Sequence, residues 1–298
     1  MTVTCVKHIV LHFGLAVLLV LMAGCPDEPI LSSNVELLSD LVYGMAYVGN
    51  GDELEFMELK LDVLRPTDLN GVPKPAVLMI HGGSFSGGSR TDEDLVHYAD
   101  GMASRGWVCF LTDYRLVEDD PPAPDDWSVL DLGVAVHAAA VDAKTALRYI
   151  RANSDTFEID LDRVAIMGDS AGAITALAAG LSDEEDFATD GPGYPTPAEN
   201  NPGPNIKPRA IIDFWGSADL FLSEFSADDP PIMIVHGSTD LTVGLGLQPA
   251  LMIVAQCEEF NIPYQFHPIL GEGHGPWDAE VDGMSLVELS EIFLQDHV

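Results

Sequence analysis

From residue 54 onward the chain shows two kinds of hydrophobic pattern. Leu59, Leu61 and Val63 alternate with polar residues, the period of a strand with one solvated face. Later runs are uniformly apolar: Ala76–Ile80, Trp107–Leu111, Val164–Met167, Ala210–Ile212 and Ile232–Val235. Strands covered on both faces read this way. Helical patterns lie between them: roughly Leu130–Arg151, with Val134, Ala138, Val141 and Leu147 near helical spacing, then Ala171–Leu181, rich in small residues, and Pro249–Phe260. A strand follows near Tyr264–Ile269. This alternation predicts an α/β fold, a mostly parallel central sheet flanked by helices, over residues 54–298. No internal repeat interrupts it. Asp186–Pro208 is rich in Pro, Gly and Asn and too long for an ordinary loop, so it reads as a flap or lid insertion or as a mobile excursion. Residues 25–53 are polar and irregular and read as a tether.

The amino terminus has another character. Lys7 is the one base before position 25, and an apolar run extends from Ile9 to Ala23. That run is short against the roughly 20 residues of a membrane-spanning helix, and its length suits the core of a signal peptide. It ends in Leu21-Met22-Ala23-Gly24-Cys25. This resembles the lipobox of bacterial lipoproteins, with Met22 where an aliphatic residue usually stands. The resemblance implies removal of residues 1–24, lipidation of Cys25 and a place in the cell envelope outside the cytoplasm. An ordinary secretory signal and an uncleaved anchor are the alternatives.

Two motifs carry chemistry. Gly168-Asp169-Ser170-Ala171-Gly172 follows an apolar strand and opens the small-residue helix. A serine on such a strand-to-helix turn projects its hydroxyl above the sheet, and the helix N-terminus favours developing negative charge. His81-Gly82-Gly83-Ser84 directly follows another apolar strand. Its glycines leave backbone N–H groups open to bind the oxyanion of a tetrahedral intermediate. Gly82 and Gly83, with Ala171 from the turn, are the expected donors; His81 reads as a structural loop residue.

Together these motifs resemble the α/β-hydrolase family, and within it the esterase/lipase branch related to hormone-sensitive lipase. The resemblance covers about residues 55–298. It includes Leu61-Asp62-Val63, Arg65-Pro66 and Asp113-Tyr114-Arg115-Leu116, as well as Arg148 and Asp162-Arg163 before the turn. Ser84 stands where that branch has a third glycine. The family order is Ser, then Asp or Glu, then His. Asp240 sits just past the strand Ile232–Val235, where the family places its acid; Asp213 and Asp219 are its rivals. Of the nine histidines, His274 lies in the glycine-rich stretch Gly271–Gly275 after the last strand, and that is the family's position for the base. His236 reads as a turn residue supporting the Asp240 loop.

Composition narrows the classes. The chain has 13 Lys and Arg against 48 Asp and Glu, a formal charge of −35. Binding to nucleic acid needs basic patches and is excluded, and an anionic membrane surface would repel the chain. Apolar residues at 47% are enough for a large core. The acids are spread through the chain and read as solvated surface, which salt would screen. Their clusters lack EF-hand order, and no P-loop, G-x-G-x-x-G or His-Glu-x-x-His is present, so no metal and no cofactor are expected. Cys109 and Cys257 lie in apolar stretches and read as buried thiols, with a disulfide between them left open. The expected function is hydrolysis of small-molecule esters of short acyl chains or small alcohols by Ser170, His274 and Asp240. A carbohydrate esterase removing acetyl or feruloyl groups would use the same parts, and a surface binding lipoprotein is the alternative outside enzymes. Any association with a membrane would rest on lipid at Cys25.

Overall fold

The apolar runs become the centre of one sheet. The computed structural model describes residues 29–49, 54–124, 127, 131–191, 193–197 and 199–298. The expected signal segment and Cys25 lie outside them. In chain order the strands are β1 (Val35–Val48), β2 (Glu55–Pro66), β3 (Lys74–Ile80), β4 (Val108–Thr112), β5 (Ile159–Asp169), β6 (Ile211–Phe214), β7 (Ile232–Gly237) and β8 (Tyr264–Ile269). They lie side by side as β1-β2-β4-β3-β5-β6-β7-β8. β2 pairs antiparallel with both β1 and β4, and every other pairing is parallel.

Helices cover both faces, as parallel strands require. α1 (Glu93–Ala103) and α6 (Leu286–His297) pack Leu95, Met102, Leu289 and Phe293 against one face. α2 (Asp131–Ala152), α4 (Ala171–Leu181) and α5 (Gln248–Phe260) cover the other, through residues such as Ala139, Leu147, Leu177 and Ile253; α3 (Ser154–Phe157) is a single turn before β5. The helices start and stop for local reasons. Pro249 stands in the first turn of α5, and Asn261 closes it in the left-handed region. Ser285 and Glu288 form a capping box on α6.

Two expectations need correction. Residues 35–48 are no tether but a 14-residue edge strand. Its acids hid the pattern: Glu36 accepts from Arg65 Nε at 2.7 Å, and Asp40 from Arg90 Nη2 at 2.6 Å. An edge strand keeps a solvated side on which such charges are tolerated. β2 is half-exposed only at its start, since Asp62 and Leu64 are buried along with Leu59, Leu61 and Val63. Asp62 is compensated by Arg90 Nε at 2.9 Å and by the Asp40 N–H at 2.8 Å. Cys109 and Cys257 are separate, buried, free thiols.

The 186–208 segment is tied down rather than loose. The Asn200 side chain brackets Met45 of β1, accepting its N–H at 2.7 Å and donating to its carbonyl at 2.8 Å. Lys144 of α2 donates to the carbonyls of Asp183 and Asp186, and Arg148 Nη1 reaches Asn205 at 3.0 Å. The deepest tie is Arg115, which is 0% exposed. Its Nη2 donates to Asp142 and to Asp190, each at 2.7 Å. Burial works against the guanidinium charge, but the two carboxylates outweigh it and hold its pKa above the ordinary arginine value. Removing the arginine would strand two buried carboxylates. Arg115→Met should therefore cost about 3–5 kcal/mol in urea unfolding; a loss under about 1 kcal/mol would show that the network is dispensable.

Candidate active site

The site is assembled at the carboxyl ends of β3, β5, β7 and β8. The sharpest bend is at Ser170, between β5 and α4, where φ is 52° and ψ −117°. A non-glycine residue held there costs about 1–3 kcal/mol and persists only where its surroundings over-determine it. They do so here. A Cβ on Gly168 would overlap the backbone of Gly172, and one on Gly172 would overlap the Ile80 carbonyl of β3. The Ser170 N–H donates to the Phe214 carbonyl of β6 at 2.9 Å, and its own carbonyl accepts from Ile174 N–H at 3.1 Å. Strand, turn and helix therefore close as one rigid unit, with the hydroxyl at its apex.

His274 joins the three residues singled out from the sequence. Its Nε2 lies 2.7 Å from Ser170 Oγ, and its Nδ1 lies 2.7 Å from Asp240 Oδ2. With Nδ1 protonated and bonded to the carboxylate, Nε2 is left to accept the serine proton. Asp240 is 0% exposed and also accepts Thr242 N–H at 2.8 Å through Oδ1. His236, at the end of β7, is fully buried behind it, with Nε2 3.3 Å from the same Oδ2. Burial lowers the His236 pKa despite that neighbour, which keeps it neutral.

The loops carrying acid and base are stitched together. Thr239 N–H and Thr239 Oγ1 both donate to the Glu272 carbonyl at 2.8 Å. Gly271 N–H donates to Ser238 Oγ at 2.8 Å. Ser238 and Thr239 escaped the sequence reading; their hydroxyls between His236 and Asp240 were the available signal. The rivals of Asp240 sit elsewhere. Asp219 is an exposed turn residue. Asp213 is 0% exposed at the end of β6, where Oδ1 accepts Gly216 N–H at 3.1 Å.

The expected oxyanion donors divide. Gly82 N–H is not free to serve, because it donates to Asp169 Oδ1 at 2.9 Å. The glycine-rich sequence could not show which of its N–H groups a neighbouring carboxylate would take. Gly83 and Ala171 are left, the latter in the first turn of α4, where N–H groups have no partner within the helix. His81 is a buried loop residue as expected. Its Nδ1 lies 2.6 Å from the Gly82 carbonyl, and its ring stacks on Tyr114 at 4.4 Å. Trp215, buried in the core, and half-buried Trp277 pack edge-to-face at 5.1 Å beside Phe214.

Comparison with known proteins agrees with this architecture. Residues 61–227 match the model of the BD-FAE family. Esterase LipC of Mycobacterium tuberculosis is 32% identical over 160 residues, which span 53% of this chain and 34% of that protein. Gut esterase 1 of Caenorhabditis briggsae is 28% identical over 121 residues, 39% of this chain and 19% of that one. The chain thus spans about a third of the first of these curated relatives and about a fifth of the second. Esterase 2 of Thermogutta terrifontis with butyrate bound superposes with a TM-score of 0.66 at 20% identity, covering 89% of this chain and 94% of its own. The same esterase phosphorylated by paraoxon gives 0.65 at 19% identity over the same shares. The fold is the α/β-hydrolase fold.

The buried Asp213 carries a pH signature of its own. Burial pushes its carboxyl up to about 7. The folded state then holds a proton that the unfolded chain releases between about pH 4 and 7, so stability falls as pH rises through that window. Asp213→Asn removes the penalty. It should raise Tm at about pH 8, with the gain shrinking towards about pH 5. A lower Tm at the higher pH, or a gain independent of pH, would contradict this.

Proposed function

The chain belongs to the BD-FAE family, and from that premise we propose that it is a serine carboxylic-ester hydrolase acting through an acyl-enzyme. One observation carries the reading: His274 bridges Ser170 Oγ and Asp240 Oδ2 at 2.7 Å on each side. Ser170 Oγ attacks the ester carbonyl carbon as its proton passes to His274 Nε2. Asp240 holds the imidazole in the required tautomer and stabilises its cation. The Gly83 and Ala171 N–H groups bind the oxyanion. Collapse of the tetrahedral intermediate breaks the ester C–O bond, and the leaving alkoxide takes the proton from His274. Water, with His274 again as base, then attacks the acyl-enzyme and releases the acid and free Ser170.

The substrates in this reading are esters of short acyl chains or small alcohols. We further read the protein as working outside the cytoplasm, held to a membrane by lipid on Cys25. The support for this is the run Leu21–Cys25, outside the described residues.

Ser170→Ala tests the mechanism. Hydrolysis of p-nitrophenyl acetate and butyrate should fall on the order of 10⁴-fold or more, to the residue left by binding and oxyanion stabilisation. Circular dichroism should be unchanged. Undiminished turnover would remove Ser170 from the chemistry, and faster hydrolysis of a palmitate than of a butyrate ester would overturn the short-chain preference.

A further inference from the structure

The two remaining oxyanion donors belong to different parts of the chain. Gly83 follows β3, and Ala171 follows β5. An oxyanion hole needs its donors held in place before the charge develops, so the distance between these two segments must be fixed. We propose that Asp169 is the positioning residue that fixes it, its carboxylate latching the 81–84 loop to the turn that carries Ser170. The proposal deepens the reading as an ester hydrolase and rests on it.

Asp169 Oδ1 accepts Gly82 N–H at 2.9 Å. The acceptor is one residue before the nucleophile, and the donor is one residue before Gly83. The fit is close: a Cβ on Gly82 would overlap Asp169 Oδ2 and press on the Asp169 carbonyl oxygen at 3.1 Å. Other contacts hold the loop from its far side. Tyr114 Oη donates to the His81 carbonyl at 3.0 Å and stacks on the His81 ring, and Ser86 N–H closes the turn onto the Gly83 carbonyl at 3.0 Å. None of these reaches the β5 turn, whereas the Asp169 bond runs directly to it. The Trp215 side chain, just past β6, favours the ionised form of the same carboxyl.

The surroundings are costly for an ionisable group. Burial, with the charge of Asp92 beside it, pushes the carboxyl up to about 7 even though the Gly82 N–H and Trp215 favour the ionised form. His81 and Tyr114 at this loop are kept neutral by burial, which lowers the His81 pKa and raises that of Tyr114, while Asp113 lies 4.0 Å from His81 and Arg90 also acts on it. A carboxylate kept in such a place, next to the nucleophile, is the kind of perturbed group that clusters at working sites.

Two variants and two readouts test the latch. Asp169→Ala removes the acceptor, and Asp169→Asn keeps a carbonyl oxygen in its place. Amide hydrogen exchange of residues 81–88 and steady-state kinetics on p-nitrophenyl butyrate are measured on each. Asp169→Ala should exchange faster at Gly82 and lower kcat about 10–100-fold, as loss of oxyanion alignment does, with KM within about 3-fold of wild type. Asp169→Asn should restore protection and bring kcat to within about 5-fold of wild type. Wild-type exchange and kcat in Asp169→Ala would overturn the proposal, as would equal impairment of the two variants. Should Asp169→Ala not fold, Asp169→Ser takes its place, its hydroxyl too short to reach Gly82, with the same expected and overturning results for Gly82 exchange and kcat. A wild-type protein without ester turnover sinks the functional reading alone, because exchange still reports whether Asp169 holds the loop.

Discussion

Three stretches of backbone meet beneath Ser170 with no side chain between them. Gly168, near the end of the strand, lies against the backbone of Gly172 in the first turn of the helix, and Gly172 lies against the Ile80 carbonyl of the neighbouring strand. Close packing of this kind leaves one way through the turn, and that way places Ser170 at φ 52°. Much of the surrounding design follows. α4 must approach the sheet closely, so eight of its eleven residues are Ala, Gly or Thr, and Thr175 satisfies its hydroxyl on the Ala171 carbonyl at 2.9 Å. β3 and β5 must be neighbours, so the chain crosses from β4 back over the sheet between them. The 81–84 loop, leaving β3 at the same level, then lies beside the serine, where Gly82 N–H meets Asp169.

The second organising feature is how few positive charges the chain has and where it places them. Arg90 draws together Asp40, Asp62 and Asp113, which come from β1, β2 and the loop after β4. Arg115 joins Asp142 of α2 to Asp190 of the inserted segment. Each guanidinium offers several donors in a fixed fork, so one arginine satisfies carboxylates from two or three elements. The acidic surplus is thus partly structural. It makes turns and caps and binds distant segments, while most of the remaining acids face solvent, where like charges repel and salt screens them.

Much of this was legible in the sequence. Uniformly apolar runs marked β3 to β7 because a strand covered on both faces has no polar side to show. Ser170 and Asp240 were legible because each follows such a run at a strand's carboxyl end, and His274 because it lies in the glycine-rich loop after the last strand, the position the family resemblance implies for the base. β1 was not, because Glu36 and Asp40 interrupt its alternation and their partners, Arg65 and Arg90, are 29 and 50 residues away. Asp62, Asp142 and Asp190 read as surface for the same reason: a buried carboxylate is recognisable only through its partner. The donor role expected of Gly82 failed at a finer level. Glycine permits an exposed N–H, but whether Asp169 claims that N–H is set by an ångström-scale fit between two loops.

The central claim is that His274 activates Ser170, and covalent labelling examines it most directly. Wild-type protein and a His274→Ala variant are treated with a fluorophosphonate, digested and mapped by mass spectrometry. The account predicts a single adduct on the peptide carrying Ser170 in wild type, and labelling slowed to background when the imidazole is removed. An adduct on another serine, or equal labelling of Ser170 without His274, would contradict it.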